Sequence, residues 1–276
     1  MGIRINTNIS SLVAQRGLSV HTENLLKNFR KLSTGLRIAQ AADDAGRLAT
    51  SERLRSQIRS LDSAGLNAND AISVLQIAEG ALNETSGILT RMRELAITSA
   101  NGSTSMQEKN TLNEELQALI TELNRIALAT TFNGAALLDG SASSITFQIG
   151  FGTTSGVDTI QLSLSPSLST SLAINSIDIG SSGSISNAII SVDAAINTVS
   201  ALRGRLAAVQ NRLNSTLTNI SVAREQLSAA ESRIRDVDVA EETSSLTRNT
   251  VLQQAAVSIL SQANVQPQTA LQLLRQ

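Results

Sequence analysis

Cysteine, tryptophan and tyrosine are absent from this chain of 276 residues, which holds only four phenylalanines, two prolines and one histidine. Without cysteine there is no disulfide, thiolate metal site or cysteine nucleophile. So few aromatics leave an aliphatic core of Leu, Ile, Val and Ala, whereas a globular enzyme of this length normally buries several rings. A net charge of −1 lacks the basic surplus of a nucleic-acid binder, and no aromatic residue interleaves with a basic patch, so no nucleic-acid partner is expected. Met1 to Asn6 lacks the charged and apolar segments of a cleaved secretory signal. No uninterrupted apolar run reaches the length of a membrane span. The expectation is a soluble chain with no membrane partner, exported, if at all, by a route that reads no cleaved signal.

What is present is a seven-residue apolar repeat in both the first and last thirds. Leu54, Leu61, Ala68, Leu75, Leu82 and Leu89 fall every seventh residue, with Ile58, Gly65 and Ile72 on the neighbouring seam position. Val199, Leu202, Leu206, Val209, Leu213, Leu217, Ile220, Leu227, Ile234 and Val237 recur at steps of mostly three, four or seven, with Ala223 and Ala230 filling gaps. Such spacing is a coiled-coil seam, and sustained heptads favour long, supercoiled helices. At 1.5 Å per residue the second seam spans roughly 57 Å, too long to be stable without partner helices.

Ile5, Ile9, Leu12, Leu25, Phe29, Leu32 and Leu36 predict a first amphipathic helix that starts near Asn8 or Ser10 and ends between Gly35 and Asp44. The heptad helix follows, then a turn at Asn101-Gly102-Ser103. A third helix carries Leu112, Leu116, Leu119, Leu123 and Ile126 and exits at Phe132-Asn133-Gly134. Between Ser141 and Ser186, 19 of 46 residues are Ser or Thr and the only charges are Asp158 and Asp178, so helical heptads cannot continue there. Ile145, Phe147, Ile149 and Phe151 alternate, as do Ile160, Leu162 and Leu164, which predicts a hairpin; a disordered linker around Pro166 is the alternative. Helix resumes near Ile185, and Leu246, Leu252, Ala256, Ile259, Leu260 and Ala263 form a last stripe limited by Pro267. The fold class is thus mainly α: an elongated antiparallel coiled-coil bundle built from both chain ends, with a small β-hairpin region in the middle. Three parts are expected: 1–44 with 236–276 as an inner terminal coiled coil, 45–140 with 187–235 as an outer helical bundle, and 141–186 as the hairpin region.

Chemistry is scarce. His21, the sole imidazole, sits on a polar helix face with no second ligand, so a solvated side chain is expected. Asp43-Asp44 lies between Arg37 and Arg47, which favours a helix cap or ion pairs over a cation site. No phosphate loop, dinucleotide fingerprint or serine elbow occurs. The chain is therefore read as no enzyme, with no catalytic residue, metal or cofactor.

Particular residues carry a resemblance. Ile5-Asn6-Thr7-Asn8, Leu32-Ser33-Thr34-Gly35-Leu36-Arg37-Ile38, Ala42-Asp43-Asp44-Ala45, Asn67-Ala68-Asn69-Asp70-Ala71-Ile72-Ser73, Glu79-Gly80-Ala81-Leu82-Asn83-Glu84 and Arg93-Glu94-Leu95-Ala96 closely resemble the N-terminal region of bacterial flagellin. Ser232-Arg233-Ile234-Arg235-Asp236-Val237-Asp238, Gln253-Gln254-Ala255, Gln262-Ala263-Asn264 and Leu273-Leu274-Arg275 resemble its C-terminal region. The chain departs from the pattern at Ala39 and at Ala45-Gly46-Arg47.

The resemblance implies a structural subunit that polymerises as a helical homopolymer into the flagellar filament for motility, a short form with a minimal central region. It further implies secretion in an unfolded state to an extracellular filament, with the flagellar export apparatus, an export chaperone, the filament cap and hook-junction proteins as partners. Ile5, Ile9, Leu12, Leu25, Phe29, Leu32, Leu252, Ile259, Leu260 and Leu274 would serve self-assembly. Arg91, Leu95 and Glu115 match positions that an innate immune receptor reads in some flagellins. A hook-filament junction protein and, in another class, an antiparallel coiled-coil signalling module are the alternatives.

Overall fold

The computed structural model describes residues 7–141, 144–180 and 184–273, with 267–273 described by backbone alone. Five helices carry most of the described chain: α1 Ile9–Thr34, α2 Ala45–Ala100, α3 Met106–Ala129, α4 Ile185–Arg235 and α5 Val239–Leu273. Two short hairpins lie between α3 and α4: β1 Thr131–Phe132 with β2 Ala135–Ala136, and β3 Ser144–Gln148 with β4 Thr159–Ser163. The chain divides into two compact units, one drawn from the chain up to Ser56 and from Gln226 onward, the other from Gln57–Glu225. The units part inside α2 and α4.

The larger unit is built around α2, α3 and α4. Leu61, Ala68, Leu75, Leu82 and Leu89 are buried, as the heptad requires. The second seam differs from expectation. Ala64, Ala71, Ala78, Thr85, Met92 and Ser99 are buried, while Ile58, Gly65 and Ile72 are only half-buried. Mostly small side chains fill this buried position, and the larger Ile58 and Ile72 lie at its margin. Val192, Val199, Leu202, Leu206, Leu213 and Ile220 answer from α4. Ion pairs Asp62–Arg224, Glu79–Arg203 and Arg93–Asp193 run in opposite chain directions, which makes α2 and α4 antiparallel. Averaged over eighteen residues α4 reaches a mean hydropathy of 1.3, long and apolar enough to cross a membrane by that measure alone; its buried side chains lie in the core shared with α2, α3 and the hairpin.

α3 begins with a capping box: Ser105 Oγ accepts from Glu108 N (3.3 Å), and Glu108 accepts from Ser105 N (2.7 Å). At its exit the left-handed pair Asn133 (φ 48°) and Gly134 (φ 80°) closes β1 onto β2 as a two-residue turn. β3 and β4 pair Ile145↔Leu162 and Phe147↔Ile160, with β3 ending at Gln148 so that Phe151 is left exposed in the connecting loop. That loop closes round Asp158, whose carboxylate accepts from Gly152 N (3.1 Å) and Thr154 N (3.0 Å).

The Ser-rich stretch beyond Pro166 is ordered rather than a linker. Asn124 accepts from Ser169 N (2.9 Å), Gln117 donates to Ile177 O (2.9 Å) and Asn113 accepts from Ile179 N (3.1 Å), so one face of α3 supplies partners to backbone that has no ladder. Leu172, Ile174 and Ile179 are buried there, with Ser167 and Ser169 beside them.

Candidate functional site

In the smaller unit, α1 and α5 run antiparallel, since Asn8 at the start of α1 meets Ala263 near the end of α5 and Asn28 meets Glu242 near its beginning. Asn8 caps α1 by accepting from Ser11 N (3.1 Å), and Gly35 ends it in the left-handed conformation (φ 71°). The following loop is held by Asp43, which accepts from Ala39 N and Gln40 N; the Gln40 N–H foremost holds its carboxyl below the usual range. Asp44 accepts from Arg47 N (2.9 Å) at the start of α2 and pairs with its guanidinium, so the two acids act as loop brace and helix cap. Arg37 donates to the last carbonyls of α4, at Arg233 (2.9 Å) and Ile234 (2.7 Å). Arg37 N to Arg235 O and Val237 N to Gly35 O then form a one-bridge ladder between the two connections.

The seam between α1 and α5 is small and polar. Ser11, Ala14, Leu25 and Asn28 are buried from α1, and Glu242, Ala256 and Ala263 from α5. Small residues let the Cα atoms of the two helices come within 8 Å along the pair. Asn28 Nδ2 donates to Glu242 Oε1 and its Oδ1 accepts from Asn249 Nδ2 (2.8 Å), while Lys31 Nζ stands 3.5 Å from Glu242 Oε2. Gln253 donates to Thr22 (3.2 Å) and Ser11 Oγ to Asn264 (2.8 Å). His21 is half-buried, and its Nδ1 is buried without a partner among the described residues, so it is not the solvated side chain expected.

α5 continues to Leu273 and is not stopped by Pro267. A proline inside a helix removes the N–H owed to the carbonyl four residues earlier. That carbonyl is Ala263 O, which accepts from Asn8 Nδ2 at 2.7 Å. The cap of one helix thus supplies the donor that the proline withholds from the other.

The large apolar side chains of the pair mostly face away from this seam. Ile9 is 55% exposed, Leu12 54%, Phe29 57%, Leu252 40% and Ile259 60%, with Val13, Val20, Leu26, Val251 and Val257 also exposed. Of the residues expected to serve assembly, these five lie open, Leu32 and Leu260 are half-buried, and Leu25 is used inside the pair. Ile5 and Leu274 lie outside the described residues. Ser10, Ile259, Gln262, Ala263 and Val265 line an open groove of about 380 Å³. Apolar periodicity does not single out Asn28, Glu242 and Asn249; the spacing Glu242, Asn249, Ala256, Ala263 is the signal that could have.

The second expected site lies on α2 and α3. Arg91 donates to Glu115 (3.0 and 2.9 Å) and to Glu94 (3.1 Å), and Glu115 first, then Glu94, raises its pKa above the ordinary value. Leu95 is only 2% exposed within this chain. The structure brings Arg91 and Glu115 together at the surface and keeps Leu95 beneath it.

Comparison with known proteins agrees with this architecture. The family model for the bacterial flagellin N-terminal helical region matches residues 5–143, and that for the C-terminal helical region matches 189–274. A flagellin of Halalkalibacterium halodurans is 44% identical over 98% of this chain and 99% of its own, and one of Bacillus subtilis is 42% identical over 99% and 100%. The flagellar filament 33 kDa core protein of Treponema phagedenis is 39% identical over 98% and 99%. The crystal structure of Bacillus cereus flagellin superposes with a TM-score of 0.50 at 30% identity, over 56% of this chain and 88% of that one.

Proposed function

The chain belongs to the bacterial flagellin family and is a subunit of the flagellar filament, and from that premise we propose that the outward apolar faces of α1 and α5 are the surface through which copies polymerise. The observation that carries this reading is the inversion of the helix pair, with polar and small residues inside and Ile9, Leu12, Phe29, Leu252 and Ile259 outside. Burying one such side chain against a neighbouring copy contributes roughly 1.5–3 kcal/mol, so five per subunit supply a substantial driving force before ordering costs. A junction protein or signalling module is not favoured, because the flagellin match runs over nearly the whole chain.

The same inversion supports ordering on assembly. A helix pair whose seam is largely polar gains little from burying itself, so we place α1 and α5 in a disordered state in the exported monomer and in a helical one in the polymer. Passage through the flagellar export apparatus, with an export chaperone, and contact with the filament cap and hook-junction proteins belong to this proposal. The inner and outer layering of residues 1–44 with 236–276 and 45–140 with 187–235 belongs to it too. Seeded assembly tests it: the full chain is expected to form long filaments with a gain in helical circular dichroism. A chain lacking everything from Val265 onward is expected to remain monomeric. Equal dichroism before and after polymerisation would sink the ordering step.

For an immune receptor that reads this chain, the contact rests on Arg91 and Glu115, with Leu95 as buried support. Arg91→Ala is expected to lower a cell-reporter response at unchanged thermal stability; an unchanged response would remove the site.

A further inference from the structure

We infer that Asn28, Glu242 and Asn249 hold the register of the α1·α5 pair along the helices, beyond the ladder of Gly35 and Arg37 with Arg235 and Val237 that joins their near ends, an inference that deepens the assembly reading and rests on it only for its consequence. The apolar and small seam positions cannot do this alone. Ala256 and Ala263 are seven residues apart, Leu246 and Leu260 are two heptads apart, and across the pair Leu18, Leu25 and Leu32 repeat every seventh residue. Sliding α5 by one heptad therefore places like beside like, and such a seam specifies register weakly.

The polar cluster has no such degeneracy. Buried Asn28 uses its amide in both directions, donating to Glu242 and accepting from Asn249, and Glu242 meets Lys31 with its second oxygen. A seven-residue slip one way puts Ala256 where Asn249 stands and strands Glu242. The opposite slip takes Asn249 from Asn28 and Lys31 from Glu242. Either leaves a buried polar or charged group without its partner, which is far costlier than the apolar contacts exchanged. A single buried polar residue fixing a coiled-coil alignment is a known use of this penalty.

An independent contact at the other end of the pair points to the same register. Asn8 donates to the carbonyl that Pro267 leaves without a helical partner. One heptad back along α5 is Ala256, whose carbonyl has the N–H of Leu260 within the helix. Asn8 and Asn28 lie about 30 Å apart along α1, so the two contacts hold the pair near both ends. Register matters outside the seam, because only one alignment sets Ser10 of α1 beside Ile259 of α5 around their shared groove.

The chain contains no cysteine, so introduced thiols report cleanly. Thr22→Cys with Gln253→Cys marks the observed register, since those side chains already meet at 3.2 Å. Thr22→Cys with Leu246→Cys or with Leu260→Cys marks a slip of one heptad either way. With a short thiol cross-linker, the natural seam is expected to link 22 to 253 within one chain. In a background of Asn28→Leu with Glu242→Leu, which leaves no charge stranded, slipped cross-links are expected to rise about tenfold or more against the in-register one. Exchanging the partners, Asn28→Glu with Glu242→Asn, keeps an amide against a carboxylate and is expected to restore the natural ratio. Slipped links as abundant in the natural seam, an unchanged ratio in the leucine background, or no restoration by the exchange would overturn the inference. Intrachain links are scored by mass in the polymer, where the pair is ordered, and in the monomer only where its dichroism shows the pair helical; filaments are scored separately by microscopy. Polymers with mixed register refute only the register inference, and correctly registered chains that never polymerise refute only the filament reading.

Discussion

Leu95 shows how a single side chain changes meaning once its surroundings are known. Its place on an apolar stripe was legible, and its match to a receptor-read position was equally legible, but burial to 2% exposure arises from packing that no local pattern encodes. Leu95→Ala is therefore expected to cost about 2–5 kcal/mol in chemical denaturation, the range for an emptied core site, so a changed receptor response would not isolate contact from unfolding. Ala173 is a second case, with φ at +56° in the ordered Ser-rich segment. A Cβ there is strained, so Ala173→Gly is expected to raise stability by up to about 1 kcal/mol, read as a higher denaturation midpoint. Ser167 is fully buried and its Oγ has no partner among the described residues. Nothing in the composition of the Ser-rich stretch separates it from its solvated neighbours.

At the scale of elements, the helices and hairpin were largely readable because apolar periodicity and turn residues are local signals. α1 starts after Asn8 and stops before Gly35, and the Asn133-Gly134 turn stands where its dipeptide places it. α5 differs because the cost of Pro267 is relieved by Asn8, 255 positions upstream of the Ala263 carbonyl it meets. Asn8→Ala is expected to destabilise the pair by about 1–2 kcal/mol through loss of both cap and bridge. In a Pro267→Ala background, where the helix supplies its own N–H, that cost should shrink to the cap alone. A double-mutant cycle read by polymer melting measures the difference, and strict additivity would show that the two sites are uncoupled. The capping box of α3 has a pH signature. Ser105, through its backbone N–H first, holds the Glu108 carboxyl below its usual range, so its stabilisation is complete above the ordinary glutamate pKa. It is lost as pH falls through the lowered folded value. Glu108→Ala is expected to lower stability at neutral pH and to leave a smaller difference from the natural chain in acid, whereas Ser105→Ala, which keeps the backbone N–H, is expected to cost about 1 kcal/mol at either pH.

For the whole molecule, the two compact units predict separable behaviour. Truncation from Val265 removes Pro267 and the end of α5, yet leaves untouched the core of the larger unit around Leu82, Leu89, Leu123 and Leu206. The truncated chain is expected to lose polymerisation while its main thermal transition stays within a few degrees of the full chain's; collapse of that transition would refute independent cores. Composition and heptad spacing by themselves determined an aliphatic, helical chain without cysteine chemistry, and the flagellin motifs determined its family, since these signals lie in residue identity and short-range order. Tertiary structure alone decided that Ala64, Ala71 and Ala78 rather than the isoleucines fill the second seam, that residues 166–180 are fastened to α3, and that the terminal pair turns its polar face inward. Those outcomes depend on which surfaces meet. A heptad tells a helix which face to bury but not against what, and only the partner's shape and hydrogen-bonding groups make one alignment cheaper than its neighbours.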